Sequence, residues 1–369
     1  MRGNLSGSFL NKVLLLLVGG LLFGSAIHAQ QTTDGSKESL DELFDVLKSK
    51  DKARCGHREE QIRVGKKILE EYGNDELNKE VIEYVRKQIP IIESKDKICR
   101  RNERYNQAYK NKNWAEFFAV SKEVIADEGE SPLALDVMLT LVSVGNERIF
   151  VDKDDTYIKD TVDYAKLAIQ LIESGKAAPG RPIFSEPYSG TSSSLRLKNN
   201  FLKSMNYILG NLHFNKLNDR SEAVGYLYKA LQCKADKNHD DYIYKLLGEY
   251  YFDEAARLVD NGTRNKREGE KLINLQIGYV ERALDAFARA RKSIVENNPE
   301  DRNGAARTLY QRMVELYRFR FNLPPTDKPE GLDRLVEKLI SQPLPDPLVQ
   351  PTMLFEEPLE IRLKRNKMQ

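Results

Sequence analysis

The chain has 369 residues, a formal net charge of +2 and 31% charged residues of both signs. The positive excess sits in the first thirty residues, where Arg2 and Lys12 meet no acidic group. The remainder is near neutral and lacks the basic surplus that advertises a nucleic-acid binder. Three cysteines (Cys55, Cys99 and Cys233) are too few for a disulfide framework in a chain this long.

Residues 1–29 read as a signal peptide. Arg2 and Lys12 precede an apolar run from Val13 to Ile27, and the small residues Ala26 and Ala29 place cleavage before Gln30. The run is shorter than the roughly 20 residues that cross a bilayer as a helix, which leaves an uncleaved anchor as the alternative. No later segment is long and apolar enough to span a membrane. The expected location is exported, periplasmic or extracellular.

After a polar lead, Ser39-Leu40-Asp41-Glu42 has the form of a capping box opening a helix through Leu43, Phe44 and Leu47. Helices are expected over 57–72, stopped by Gly73, and over 75–88, broken by Pro90. Antiparallel packing of those two would let Cys55 and Cys99 approach; unpaired thiols are the other possibility. A helix marked by Ile98, Tyr105 and Tyr109 follows, then one carrying Trp114, Phe117, Phe118, Val124 and Ile125. Ser131-Pro132 is an N-cap followed by proline at the first helical position. The partner helix over 157–172 ends at Gly175. From Ala177 to Ser194 the composition shifts to Pro, Gly and Ser, giving a linker or flap.

Beyond it, Leu209-Gly210 opens one helix pair, with Ala223 and Ala230 seven apart on the second helix. Leu247-Gly248, flanked by Tyr244 and Tyr251, opens the next. Ala283, Phe287, Ala290 and Pro299 repeat the second-helix pattern. These residues resemble the tetratricopeptide repeat family over about 98–322. The two Leu-Gly pairs stand thirty-eight apart, and a polar insertion occupies Asn261 to Lys271, so the spacing departs from the family's. An ordinary helical bundle is the competing architecture.

The resemblance implies an all-α, right-handed α-solenoid of antiparallel helix hairpins. Its segments would be an N-terminal helical part (30–97), repeats (98–175), the loop (176–194), repeats with an Arg-rich capping helix (195–322) and a Pro-rich tail with one short helix (323–369). It also implies a concave groove lined by first helices, with Tyr207, Asn211 and Phe214 in one unit and Lys245, Glu249 and Phe252 in the next. The alternative for about half of these is packing against the neighbouring hairpin.

Chemistry-bearing motifs do not emerge. After residue 30 only His57, His213 and His239 remain, without metal-ligand spacing. His213 reads as a packed core residue, and Asn238-His239-Asp240-Asp241 as a helix start. No nucleophile elbow, phosphate loop or zinc-protease helix is present, and adjacent carboxylates on a helix do not face one another. The expectation is a non-catalytic binding scaffold or assembly factor of the cell envelope, with no catalytic residue, cofactor or metal. Its partner would be a protein or peptide. A structural subunit of an envelope complex, or an enzyme with an unrecognised site, are the rivals.

Overall fold

A computed structural model of the chain describes residues 39–49, 55–176, 191–261, 266–298, 300, 304–325 and 329–353, with backbone alone at 191–194, 259–261 and 266–270. The expected signal peptide, most of the Pro/Gly/Ser-rich loop, Pro299 and the basic tail lie outside the described residues. Among those described, the chain is all-helical, with twelve α-helices, two 3-10 turns and no strand. Among the described residues no helix is long and apolar enough to cross a membrane. The chain divides between Glu128 and Gly129 into two compact units.

The first unit begins with α1 (Leu40–Lys48). The Glu42 amide donates to Ser39 Oγ and the Ser39 amide to Glu42 Oε2, completing the capping box. Helices α2 (Cys55–Tyr72) and α3 (Lys79–Lys110) run antiparallel. The Cys55–Cys99 disulfide, the Lys66–Glu93 ion pair at 2.8 Å and the bond from Arg86 to the Gly73 carbonyl mark successive levels of the pair. Leu43, Leu47, Val64, Ile68, Ile82, Val85, Ile89 and Ile92 form the core between these three helices.

The expected break at Pro90 does not occur: α3 runs through it, joining the segments predicted at 75–88 and 98–109 into one helix. A proline inside a helix costs about 3 kcal/mol. Here Ile89 and Ile92 are anchored in the core on either side, and the disulfide ties the far half of α3 to α2. Pro90 itself is exposed, as is Arg86, whose carbonyl loses its helical donor.

At the other end of α3, Tyr105 and Tyr109 meet Trp114 and Phe117 of α4 (Trp114–Glu128) at ring distances of 5.1 to 6.1 Å. Buried Arg101 donates to Asp127 and Glu128, each at 2.9 Å, in the last turn of α4. A cation there also complements the helix dipole.

The second unit contains α5 (Pro132–Phe150), α6 (Ile158–Ser174), α7 (Thr191–Asn215), α8 (Arg220–Gln232), α9 (Asp240–Asn261), α10 (Lys266–Asn297), α11 (Ala305–Phe321) and α12 (Leu332–Ile340). Ser131 caps α5, accepting from the Ala134 amide, and Gly175 ends α6 with φ of 71°. The Ser192–Ser194 run, placed in the loop by composition, belongs to the first turn of α7. Each helix packs chiefly on its chain neighbours, and α10 also receives α12. The α9–α10 pair is antiparallel, with Gly248 facing Phe287 and Gln276 donating to the Ala255 carbonyl. The α10–α11 pair is antiparallel too: Arg320 donates to Glu281 at 2.9 Å, and the Arg291 guanidinium lies 5.2 Å over Tyr310.

The start of the Pro-rich tail, which its composition would leave extended and poorly packed, is held against α10. Arg289 donates to the carbonyls of Leu339 and Gln342, and Arg282 donates to that of Asp346 at 2.9 Å. Pro347 and Pro351 are buried, and Pro351 lies so close to Gly278 that a Cβ there would stand 3.1 Å from it. Residues 341–353 therefore form a strap over α10, and every residue from Val280 to Ala288 is buried. Two arginines of α10 hold these carbonyls, of which those of Leu339 and Asp346 also accept backbone amides within their own turns.

Candidate functional site

The Lys203 ammonium fixes the α8–α9 connection. It donates to the Asp236 carbonyl at 2.5 Å and pairs with the Asp240 carboxylate. Asn200 brackets Asp236 as both donor and acceptor, and Arg196 holds its carboxylate at 2.6 Å. That network sets His239 at the start of α9, in left-handed backbone with φ of 66°. Its ring stacks on Tyr207 of α7 at 4.7 Å. The Tyr207 phenol is pushed up to about 12, first by burial and then by Tyr242 and Asp241, so it remains protonated.

From this point a row of half-exposed side chains crosses three helices. Tyr207 meets the edge of Tyr242 on α9 at 6.2 Å. One turn on, Lys245 lies over the Tyr242 ring at 5.8 Å and pairs with Glu249 at 3.6 Å. Phe252, one turn further, is covered by the guanidinium of Arg312 on α11 at 4.2 Å, and Arg312 reaches Glu315 at 3.5 Å. Helices α7, α9 and α11 thus share one aromatic and charged face. Surface ion pairs such as Lys245–Glu249 contribute little to stability and can exchange partners at low cost.

Of the six groove residues expected, Tyr207, Lys245, Glu249 and Phe252 lie on this face. Asn211 and Phe214 are each 5% exposed. Asn211 accepts from the Asn215 amide at 2.7 Å, and Phe214 sits beneath the Arg220 guanidinium at 4.6 Å. Both are therefore buried rather than open on this face, and Phe214 belongs to the core cluster of the second unit. Tyr242 joins the face without having been singled out, and Arg312 joins it from the Arg-rich helix, whose arginines offered either a polar cap or a basic surface for an acidic partner. Tyr242 falls a turn before Lys245 and was open to detection by helical spacing. Arg312 needed the α9–α11 packing to be known.

A second feature lies on the first unit. Tyr84, Ile91 and Ile98 stand seven residues apart on α3 and are 41%, 45% and 42% exposed, in line with Leu77 just before the helix. Seven-residue spacing puts them on one stripe about 21 Å long. The assumed break at Pro90 hid it from the sequence reading. Nearby, Phe44, Lys48, Glu80, Val81 and Tyr84 line a cleft of about 490 Å³.

No family model, curated protein or solved structure matches the chain.

Proposed function

We propose that this chain is an exported, non-catalytic helical repeat protein of the tetratricopeptide type, binding a protein or peptide segment through the α7–α9–α11 face. The observation that carries the reading is the continuous row from Tyr207 through Tyr242, Lys245, Glu249 and Phe252 to Arg312 on three first helices. Flat rings beside exchangeable charges suit an extended peptide or a partner helix. The small residues between helices support the repeat reading, since Gly210 and Gly248 each admit a neighbour too close for a side chain. Export is supported by the Cys55–Cys99 disulfide, a bond that persists in oxidising compartments.

The structural-subunit reading has its own support in the α3 stripe. Tyr84, Ile91 and Ile98 with exposed Lys87 and Lys95 alongside suit permanent docking of an amphipathic helix with acidic flanks. A photo-reactive residue placed at Lys245 or at Ile91 of the full chain separates the two in the envelope fraction. Crosslinks from position 245 that vanish in Arg312→Glu and Phe252→Ala support the scaffold. Crosslinks from position 91 alone would move the function to the first unit. None from either would sink both.

A further inference from the structure

The hairpin between α7 and α8 holds an arrangement that the binding face does not use. His213, in the last turn of α7, is 5% exposed, and neither ring nitrogen has a hydrogen-bond partner among the described residues. A buried imidazole with two unanswered nitrogens is costly. It faces Asp219 and Glu222 at the start of α8, and one donor atom from each of the three residues lies within 4.8 Å of the others.

The turn is built so that these groups converge. Asn218 is in left-handed backbone with φ of 53°, and the Asp219 amide donates to the His213 carbonyl at 2.9 Å. Asp219 spends Oδ1 on capping α8, accepting from the Glu222 amide at 3.2 Å, and turns Oδ2 to the His213 ring at 3.8 Å. Glu222 accepts from Tyr226 at 3.0 Å and from Lys166 of α6 at 3.3 Å, both through Oε1, which leaves Oε2.

We infer that His213, Asp219 and Glu222 form a site for one divalent transition-metal ion of the zinc class, joining the end of α7 to the start of α8. One imidazole nitrogen and two carboxylates are a donor set such ions take, and the two negative charges balance the ion. Two ligands of one tetrahedral ion with bonds of 2.0–2.2 Å stand about 3.4 Å apart. The His213–Asp219 separation is already within a few tenths of an ångström of that. Burial pushes the His213 imidazole below its ordinary value, so at neutral pH the ring carries the lone pair a metal needs. Opposing the ion are the positive end of the α8 dipole and Lys166, which shares Glu222. Three protein ligands leave a fourth position for water.

The test uses the full chain, without a histidine tag and stripped by a chelator. Zn²⁺ is titrated calorimetrically, and Co²⁺ is followed by its visible absorption. One equivalent of Zn²⁺ is expected, raising Tm by mass action, with Co²⁺ showing a low-coordinate spectrum. His213→Gln and Asp219→Asn should each weaken binding at least about 100-fold, since loss of an outer-shell partner alone costs about 10–100-fold. Asn is as good an N-cap as Asp, so Asp219→Asn keeps the hairpin folded while removing a ligand charge. An unchanged far-ultraviolet spectrum and metal-free Tm in that variant check the point. No saturable binding overturns the proposal. So does an equivalent of metal that both substitutions leave untouched, which would place it elsewhere on the surface.

Discussion

Gly248 of α9 stands against Phe287 of α10 so closely that a Cβ on the glycine would lie 2.5 Å from the ring. No real Cβ contact is that short, so the two helices owe their separation to the missing side chain. Gly210 has the same relation to Leu227, with a would-be contact of 2.7 Å. The Leu-Gly pairs in the sequence are the imprint of these two approaches.

Gly248→Ala should therefore destabilise the second unit by about 1–3 kcal/mol, the usual cost of overpacking a filled core. Phe287 is 2% exposed and has little room to yield. Gly56→Ala is the control, because nothing lies within 4 Å of that position and alanine favours the helix. Urea melts of both variants measure the contrast; equal effects would show that close approach is not what selects glycine at 248.

Removing the disulfide should loosen the first unit. Cys55 and Cys99 are 44 residues apart, and a closed loop of that size stabilises by about 4 kcal/mol on the chain-entropy account. Cys99→Ser should raise amide exchange in α2 and α3 while leaving α9 and α10 protected. Uniform protection in both would indicate that the packing around Val64, Ile68 and Ile89 suffices.

The Arg320–Glu281 pair is buried on both sides, at 7% and 1% side-chain exposure. Arg320→Ala takes the guanidinium away from the buried Glu281 carboxylate, and breaking such a pair from one side costs about 3–5 kcal/mol. Replacing both as Arg320→Met with Glu281→Leu should restore much of the loss. A double variant no more stable than the single one would mean that the pair is needed for more than charge balance.

Asp285 gives the second unit a pH dependence. Burial raises its carboxyl to about 6, and the neighbouring Arg289 and Arg282 only partly offset this. The folded chain thus holds this proton more tightly than the unfolded chain, whose carboxyl titrates near 3.8. The contribution of this group is full below about pH 4, declines as pH rises through 6 and is level above, a span on the order of 3 kcal/mol. Asp285→Asn should flatten Tm between pH 4 and 6.5. A slope that persists in the variant assigns the effect to another group.

Much of the helical architecture was legible because its signals are local. Ser39 with Glu42, Ser131 with Pro132, and Gly175 each mark a helix end by their own chemistry, and the structure places ends there. Pro90 misled because the penalty of a proline is local while its compensation is not: Ile89, Ile92 and the disulfide hold α3 from outside the helix. The tail misled for a similar reason, since Arg282 and Arg289 lie about sixty residues before the carbonyls they hold. On the candidate face, spacing from the Leu-Gly pairs located Lys245 and Glu249. Spacing alone did not tell Phe214, roofed by Arg220, from Phe252, which is partly open beside Arg312.

The strap also sets an order of events in the life of the chain. Arg282 and Arg289 do not meet the carbonyls they hold until residues some sixty positions later have been made. At about 5–20 residues per second of synthesis, α10 waits several seconds with a charged flank open to water. During that interval the second unit lacks its closing segment. Completion of the strap then acts as a clasp that ties the end of the described chain to a helix made well before it.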